Sequence, residues 1–138
     1  MKKLTKESNW YKGISMSECI FCNSKLINVF LENNLAWVKW DEFPVSKGHA
    51  LIISKRHVQD FFGTNLEERI AMAKLIDEVK IIIDKEYKPD GYNIGINCGA
   101  AAGQSVMHLH IHVIPRYKGD VINPRGGVRG VIPQKQNY

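Results

Sequence analysis

The chain reads as an α+β domain in which a mainly antiparallel five-stranded sheet packs on one long helix, with a second, short helical piece. Two observations predict this. Short alternating segments cluster before and after a single stretch of helical period, instead of alternating with helices as a parallel sheet requires. Turn-forming residues, Asn33-Asn34, Pro44, Gly48, Pro89 and Gly91, punctuate those segments.

In chain order, residues 28–32 and 35–40 form two strands joined at Asn33-Asn34, and residues 49–53 a third, entered through Pro44 and Gly48. Residues 55–62 form a short helix or turn. The long helix opens at Thr64-Asn65-Leu66-Glu67, where Thr64 and Glu67 match a capping box. Its apolar residues Leu66, Ile70, Ala73, Ile76, Val79 and Ile83 recur at spacings of three and four and predict one buried stripe, ended by Pro89 and Gly91. Strands at 92–97 and 108–114 flank a loop over 98–105. From Gly119 the chain is rich in Gly, Pro and Arg and is expected to form a loop or arm over the domain or over a partner subunit. With 138 residues and 44% hydrophobic content, one domain over 1–138 is expected.

A net charge of +5 favours a polyanionic partner: nucleic acid, a phosphorylated metabolite or an anionic membrane. Lys2 and Lys3 are followed by no apolar stretch of signal-peptide type, and no run reaches membrane-spanning length, so neither secretion nor insertion is expected. Three cysteines, an odd number, suit a reducing compartment, and the expected location is cytoplasmic.

The segment His108-Leu109-His110-Ile111-His112-Val113-Ile114 alternates with the period of a strand. Three imidazoles then project from one face while Leu109, Ile111 and Val113 enter the core. A merely wet strand face is the bland account. The small residues Gly99 to Ser105 feed directly into this strand, and glycines let main-chain N–H groups approach an anion. Alone, that loop is no more than a glycine-requiring hairpin; beside the histidines it becomes a phosphate site.

The run Gly103-Gln104-Ser105-Val106-Met107-His108-Leu109-His110-Ile111-His112-Val113-Ile114 resembles the signature of the histidine-triad nucleotide hydrolases and transferases, and the likeness spans about residues 19–119. The resemblance implies a homodimer with five antiparallel strands and two helices per subunit. It implies His110 as the nucleophile toward the α-phosphorus, its other ring nitrogen held by a main-chain carbonyl near His108. His112 matches a residue that hydrogen-bonds phosphate oxygen, and Ser105 one that binds phosphate and helps the leaving group. Asp41, eight residues before His49, and Asn97, eleven before His108, match ribose or phosphate contacts; Gly103 and Gln104 fall in the substrate loop. His49 matches a residue that supports the triad from behind. Imidazole is a good nucleophile near neutral pH, and a covalent intermediate divides one displacement into two easier ones.

Cys19-Ile20-Phe21-Cys22 has a spacing that serves zinc ligation, redox exchange or plain burial. Zinc needs two more ligands, and His57 and His108 would complete a neutral tetrahedral site. The histidine-triad likeness implies this same set, with a structural zinc. Cys98 is left to packing beside the loop.

The stretch His112-Val113-Ile114-Pro115-Arg116-Tyr117-Lys118-Gly119-Asp120 is similar to the diadenosine polyphosphate hydrolase branch, which makes a diadenosine tetraphosphate-like substrate the expectation and a nucleoside phosphoramidate the enzymatic rival. A rival of another class is a zinc-stabilised nucleic-acid or protein-binding module, with Arg116, Lys118, Arg125 and Arg129 on a phosphate backbone.

Overall fold

The structure is a computed structural model that describes residues 19–25 and 27–138. Its regular elements are β1 (Leu31–Glu32), β2 (Ala36–Trp40), β3 (Ala50–Ser54), α1 (Leu66–Tyr87), β4 (Gly91–Gly95) and β5 (His110–Arg116). The five strands form one sheet in the order β1-β2-β3-β5-β4, and every neighbouring pair is antiparallel.

Side chains alternate across a strand, so the sheet has two faces of different use. Ala36, Val38, Ala50, Ile52, Ile111 and Val113 point to one face and pack with Met72, Leu75, Val79 and Ile83 of α1. Trp37, Leu51 and Ile53 point to the other and pack with Cys19, Phe21 and Ile27 from the N-terminal turn. The histidines stand on this second face. Register places Trp37, Ile53 and His110 in one cross-strand row and Lys39, Leu51 and His112 in the next. The helix side supplies the main core, and the opposite side carries the smaller cluster and the histidines.

Several expectations need correction. The α1 N-cap is Asn65, whose side chain accepts from the Glu68 N–H while Glu68 reaches back to the Asn65 N–H; the capping box therefore lies one residue later than Thr64 and Glu67. Thr64 instead accepts from Arg69 Nε (2.9 Å). The buried line of α1 runs Glu68, Met72, Leu75, Val79 and Ile83, whereas Leu66 and Ile70 are exposed and Ala73 faces solvent. Glu68 opens that line because Arg56 grips its carboxylate with two nitrogens (2.7 and 3.1 Å), which lets a charged residue occupy an inward position. The short helix of 55–62 is a single 3-10 turn at Phe61–Gly63, capped by Asp60.

The strand expected over 28–32 shrinks to Leu31–Glu32, since Asn28 adopts φ 53°. The last strand begins at His110 rather than His108. The helix ends at Lys88 in the left-handed conformation, just before Pro89.

Past Gly119, two 3-10 turns (Gly127–Val131 and Pro133–Lys135) fold back beside β4. Arg129 donates to the Lys135 and Gln136 carbonyls and Gln136 donates to the Arg125 carbonyl, so the tail closes on itself. Gly126, at φ +86°, lies where any Cβ would run into the Gln136 carbonyl oxygen.

Candidate functional site

Two clusters meet where β5 begins. In the first, Cys19 Sγ lies 3.3 Å from His108 Nδ1, Cys22 Sγ 3.2 Å from His57 Nδ1, and Cys22 Sγ 3.5 Å from His108 Nδ1. A tetrahedral zinc with ordinary Zn–S and Zn–N bonds holds its sulfur and nitrogen ligands about 3.5 Å apart. The donor set therefore fits zinc. His108 is fully buried, and its Nε2 lies 2.6 Å from the Ser54 carbonyl. That acceptor keeps the ring proton on Nε2 and turns an unprotonated Nδ1 to the sulfurs, as a metal ligand requires. Burial pushes the Cys22 thiol up to about 11, with the adjacent Cys19 sulfur adding to it. A divalent cation would offset the cost of ionising a sulfur so placed. Cys98 stands apart, half-buried at the start of the glycine loop.

The second cluster is the pocket of His110 and His112, whose rings meet at 5.1 Å. His110 Nδ1 lies 2.8 Å from the His108 carbonyl and must donate to it, so Nε2 carries the lone pair. For His49 the tautomer follows from a fixed donor: the Val45 N–H donates to its Nδ1 (3.1 Å), which puts the ring proton on Nε2. That nitrogen faces His112 Nδ1 at 2.9 Å and Asp41 Oδ2 at 3.4 Å. His112 Nδ1 thus accepts, and its Nε2–H is left as a donor. The two histidines are set oppositely, His110 with a free lone pair and His112 as a hydrogen-bond donor.

The ligand atoms of Asp41, His49 and His112 also lie within 4.8 Å of one another. The proton on His49 Nε2 removes the lone pair a metal would need there, so the geometry favours a hydrogen-bond chain over a second metal site.

Burial holds all four rings below the ordinary imidazole value. His108 and His112 fall to about 4, the latter helped by the charges of His110 and His49. His110 and His49 are lowered for the same first reason, with Asp41 pulling each the other way. At neutral pH the rings are uncharged, and His110 keeps its lone pair.

The loop before β5 is more spent than its glycines suggest. Gln104 is buried; its side chain accepts from the Gly99 N–H (2.8 Å) and donates to the Gln59 and Val106 carbonyls. Its own N–H goes to the Gly99 carbonyl, and that of Gly103 to Ala100. The N–H groups of Gln104 and Gly103 are therefore spent within the loop, which these two residues build. Ser105 follows them at the surface. Gly95, the last residue of β4 to pair, pairs with His112, and Asn97 lies two residues beyond Gly95, past the end of the strand.

Sequence reasoning missed Phe21. It packs edge-on to both His108 and His110, at 6.0 and 5.2 Å, and so joins the cysteine turn to the His110 ring. The aromatic inside the Cys-x-x-Cys spacing was the available signal. The basic-tail rival loses ground on the same structure: Arg116 is engaged by Asp120 and Asn93, and the Arg125 and Arg129 guanidiniums stack on Tyr138.

Comparison with known proteins agrees with this geometry. An uncharacterized 16.1 kDa HIT-like protein of Mycoplasma pneumoniae is 37% identical over 112 residues, 78% of this chain and 77% of that one. An AP-4-A phosphorylase of Mycobacterium tuberculosis is 34% identical over 110 residues, 77% of this chain and 55% of that protein. Among solved structures, a Zn-bound histidine triad family protein from Mycobacterium smegmatis superposes with a TM-score of 0.69 at 31% identity, covering 79% of this chain and 82% of that one. The HIT domain model itself matches residues 25–119, the interval that holds all five strands, α1 and every histidine described above, and the chain belongs to the HIT domain family.

Proposed function

We propose that the protein hydrolyses a nucleotide at its α-phosphate through a covalent intermediate on His110, with a dinucleoside polyphosphate resembling diadenosine tetraphosphate as substrate. The observation that carries this reading is the 2.8 Å contact of His110 Nδ1 with the His108 carbonyl, which leaves Nε2 unprotonated toward the pocket. Nε2 attacks phosphorus, the P–O bond to the leaving group breaks, and Ser105 assists that oxygen. Water then attacks the phosphorus, the P–N bond breaks, and the nucleoside monophosphate departs. His112 Nε2–H supports the phosphate oxygens as their charge grows, and Asp41 and Asn97 position the ribose and phosphate. A zinc held by Cys19, Cys22, His57 and His108 would be structural, since four protein ligands leave no open position. We place the protein in the cytoplasm, where those cysteines stay reduced, and as a two-fold homodimer.

The AP-4-A phosphorylase relative favours a second acceptor, inorganic phosphate in place of water. Product analysis separates the two: from diadenosine tetraphosphate, water gives AMP and ATP, and phosphate gives ADP and ATP. A nucleoside phosphoramidate, tested in parallel, checks the remaining enzymatic alternative. Rapid quench should trap an acid-labile, base-stable phosphoramidate on wild-type protein. His110→Ala should lower turnover by several orders of magnitude, and full activity in that variant would refute the nucleophile assignment.

A further inference from the structure

Lys39 is the buried charge of the site face that the chemistry above leaves unused. It lies in the middle of β2 with its side chain only 7% exposed, among neighbours Ala36, Trp37 and Val38 that are equally buried. Strand alternation puts it on the same face as His110 and His112. Register puts it in the His112 row, with Leu51 between them. Two strand spacings separate Lys39 from His112, about 10 Å, which is comparable to the reach of a nucleotide from phosphorus to base. Asp41 follows two residues along, its Oδ2 at 3.9 Å from His112 Nδ1. A phosphate at the histidines and a ribose at Asp41 would bring the base toward Lys39.

Among the described residues, the ammonium has one hydrogen-bond partner, Glu42 Oε1 at 3.3 Å. Glu42 is 65% exposed, so water screens the attraction and returns little of what burying an ammonium costs. Its place in the loop is set by the turn in which Asp41 Oδ1 accepts the Phe43 N–H (2.8 Å). The pair presents an ammonium, which only donates, beside a carboxylate, which only accepts and does so with two oxygens. A base matching both needs an acceptor next to two adjacent donors. Guanine has that edge: O6, then N1–H and the 2-amino group. Hypoxanthine lacks the second donor, and adenine reverses the order.

Resting on the nucleotide reading above, but replacing the adenine of the substrate named there by guanine, we propose that Lys39 and Glu42 read the base edge of the bound nucleotide and select guanine over adenine. Glu42 takes one proton of the ammonium, and the other two are available to O6.

Calorimetry on the full chain with GMP, IMP, AMP and ribose 5-phosphate tests this. GMP should bind about tenfold or more tighter than AMP, the scale of one charge-assisted hydrogen bond, with IMP between them. Glu42→Gln, at an exposed position, should draw GMP and IMP together. Lys39→Met keeps the aliphatic stem; it should weaken GMP and IMP and leave ribose 5-phosphate unchanged. Equal or tighter binding of AMP to wild type overturns the inference, as does a guanine preference unaltered in both variants. Binding of none of the mononucleotides removes the nucleotide reading and this inference with it, whereas binding without base preference removes this inference alone.

Discussion

His49 is buried behind His112, yet it determines which proton His112 presents. The Val45 amide cannot change its role as donor, so the chain Val45 N–H, His49, His112 has one direction. Replacing His49 by Leu should lower kcat on the order of 100-fold, the scale of a misplaced catalytic group, with a smaller change in KM. His49→Gln, whose amide can still donate to His112, should recover part of that loss. A Leu variant with unchanged kcat would refute the relay.

The same rings fix a pH dependence. His112 in the fold takes its proton only near pH 4, against 6.5 when unfolded. The depressed value means that stability is fully present above pH 6.5 and is lost as pH falls toward 4, by up to about 1.4 kcal/mol per unit. Urea unfolding at pH 7.5, 6 and 5 should show a steeper loss for wild type than for His112→Gln. Parallel slopes would contradict this. The strand period displays His110 and His112, and the histidine-triad likeness points to His49; neither shows which nitrogen holds a proton, since that depends on the Val45 and His108 backbone groups folded against them.

Among the elements, the glycine loop and the start of α1 show where local reading stops. Glycines near a histidine strand suggest a phosphate loop, but not that Gln104 is its latch, because its partners Gly99, Gln59 and Val106 include a residue 45 positions away. Gln104→Ala should cost about 1–3 kcal/mol for the polar groups it strands, measurable by urea unfolding, and should slow turnover more than it weakens zinc. The helix was legible in its existence and end. Its face was not, because apolar residues occupy two registers and a distant arginine decides that Glu68 goes inward. Accordingly, Asn65→Ala should cost about 1 kcal/mol as a lost cap, and Glu67→Gln almost nothing. Equal losses would put the box back at Thr64.

For the whole molecule, the α+β class followed from the grouping of strands about one helix, and strand order did not, because pairing between distant segments leaves no mark on either one. In metal analysis Cys22→Ala should lose most of the zinc and stability together. By light scattering wild type should show twice its 15.7 kDa chain mass. Protein made with ample zinc that holds none would refute the Cys2His2 site, and a monomer would remove the dimer while leaving the chemistry. The order β1-β2-β3-β5-β4 also has a consequence for biosynthesis. The strand carrying the proposed nucleophile is the last of the five to leave the ribosome, yet it must insert between β3 and β4, and until it does the sheet exists as two pieces. The contact between Cys19 and His108 spans 89 positions and can close only at that same moment. A nascent chain therefore cannot assemble the His110 pocket while its helix-side core is still forming, and the chemistry proposed for it could begin only once the last strand is in place.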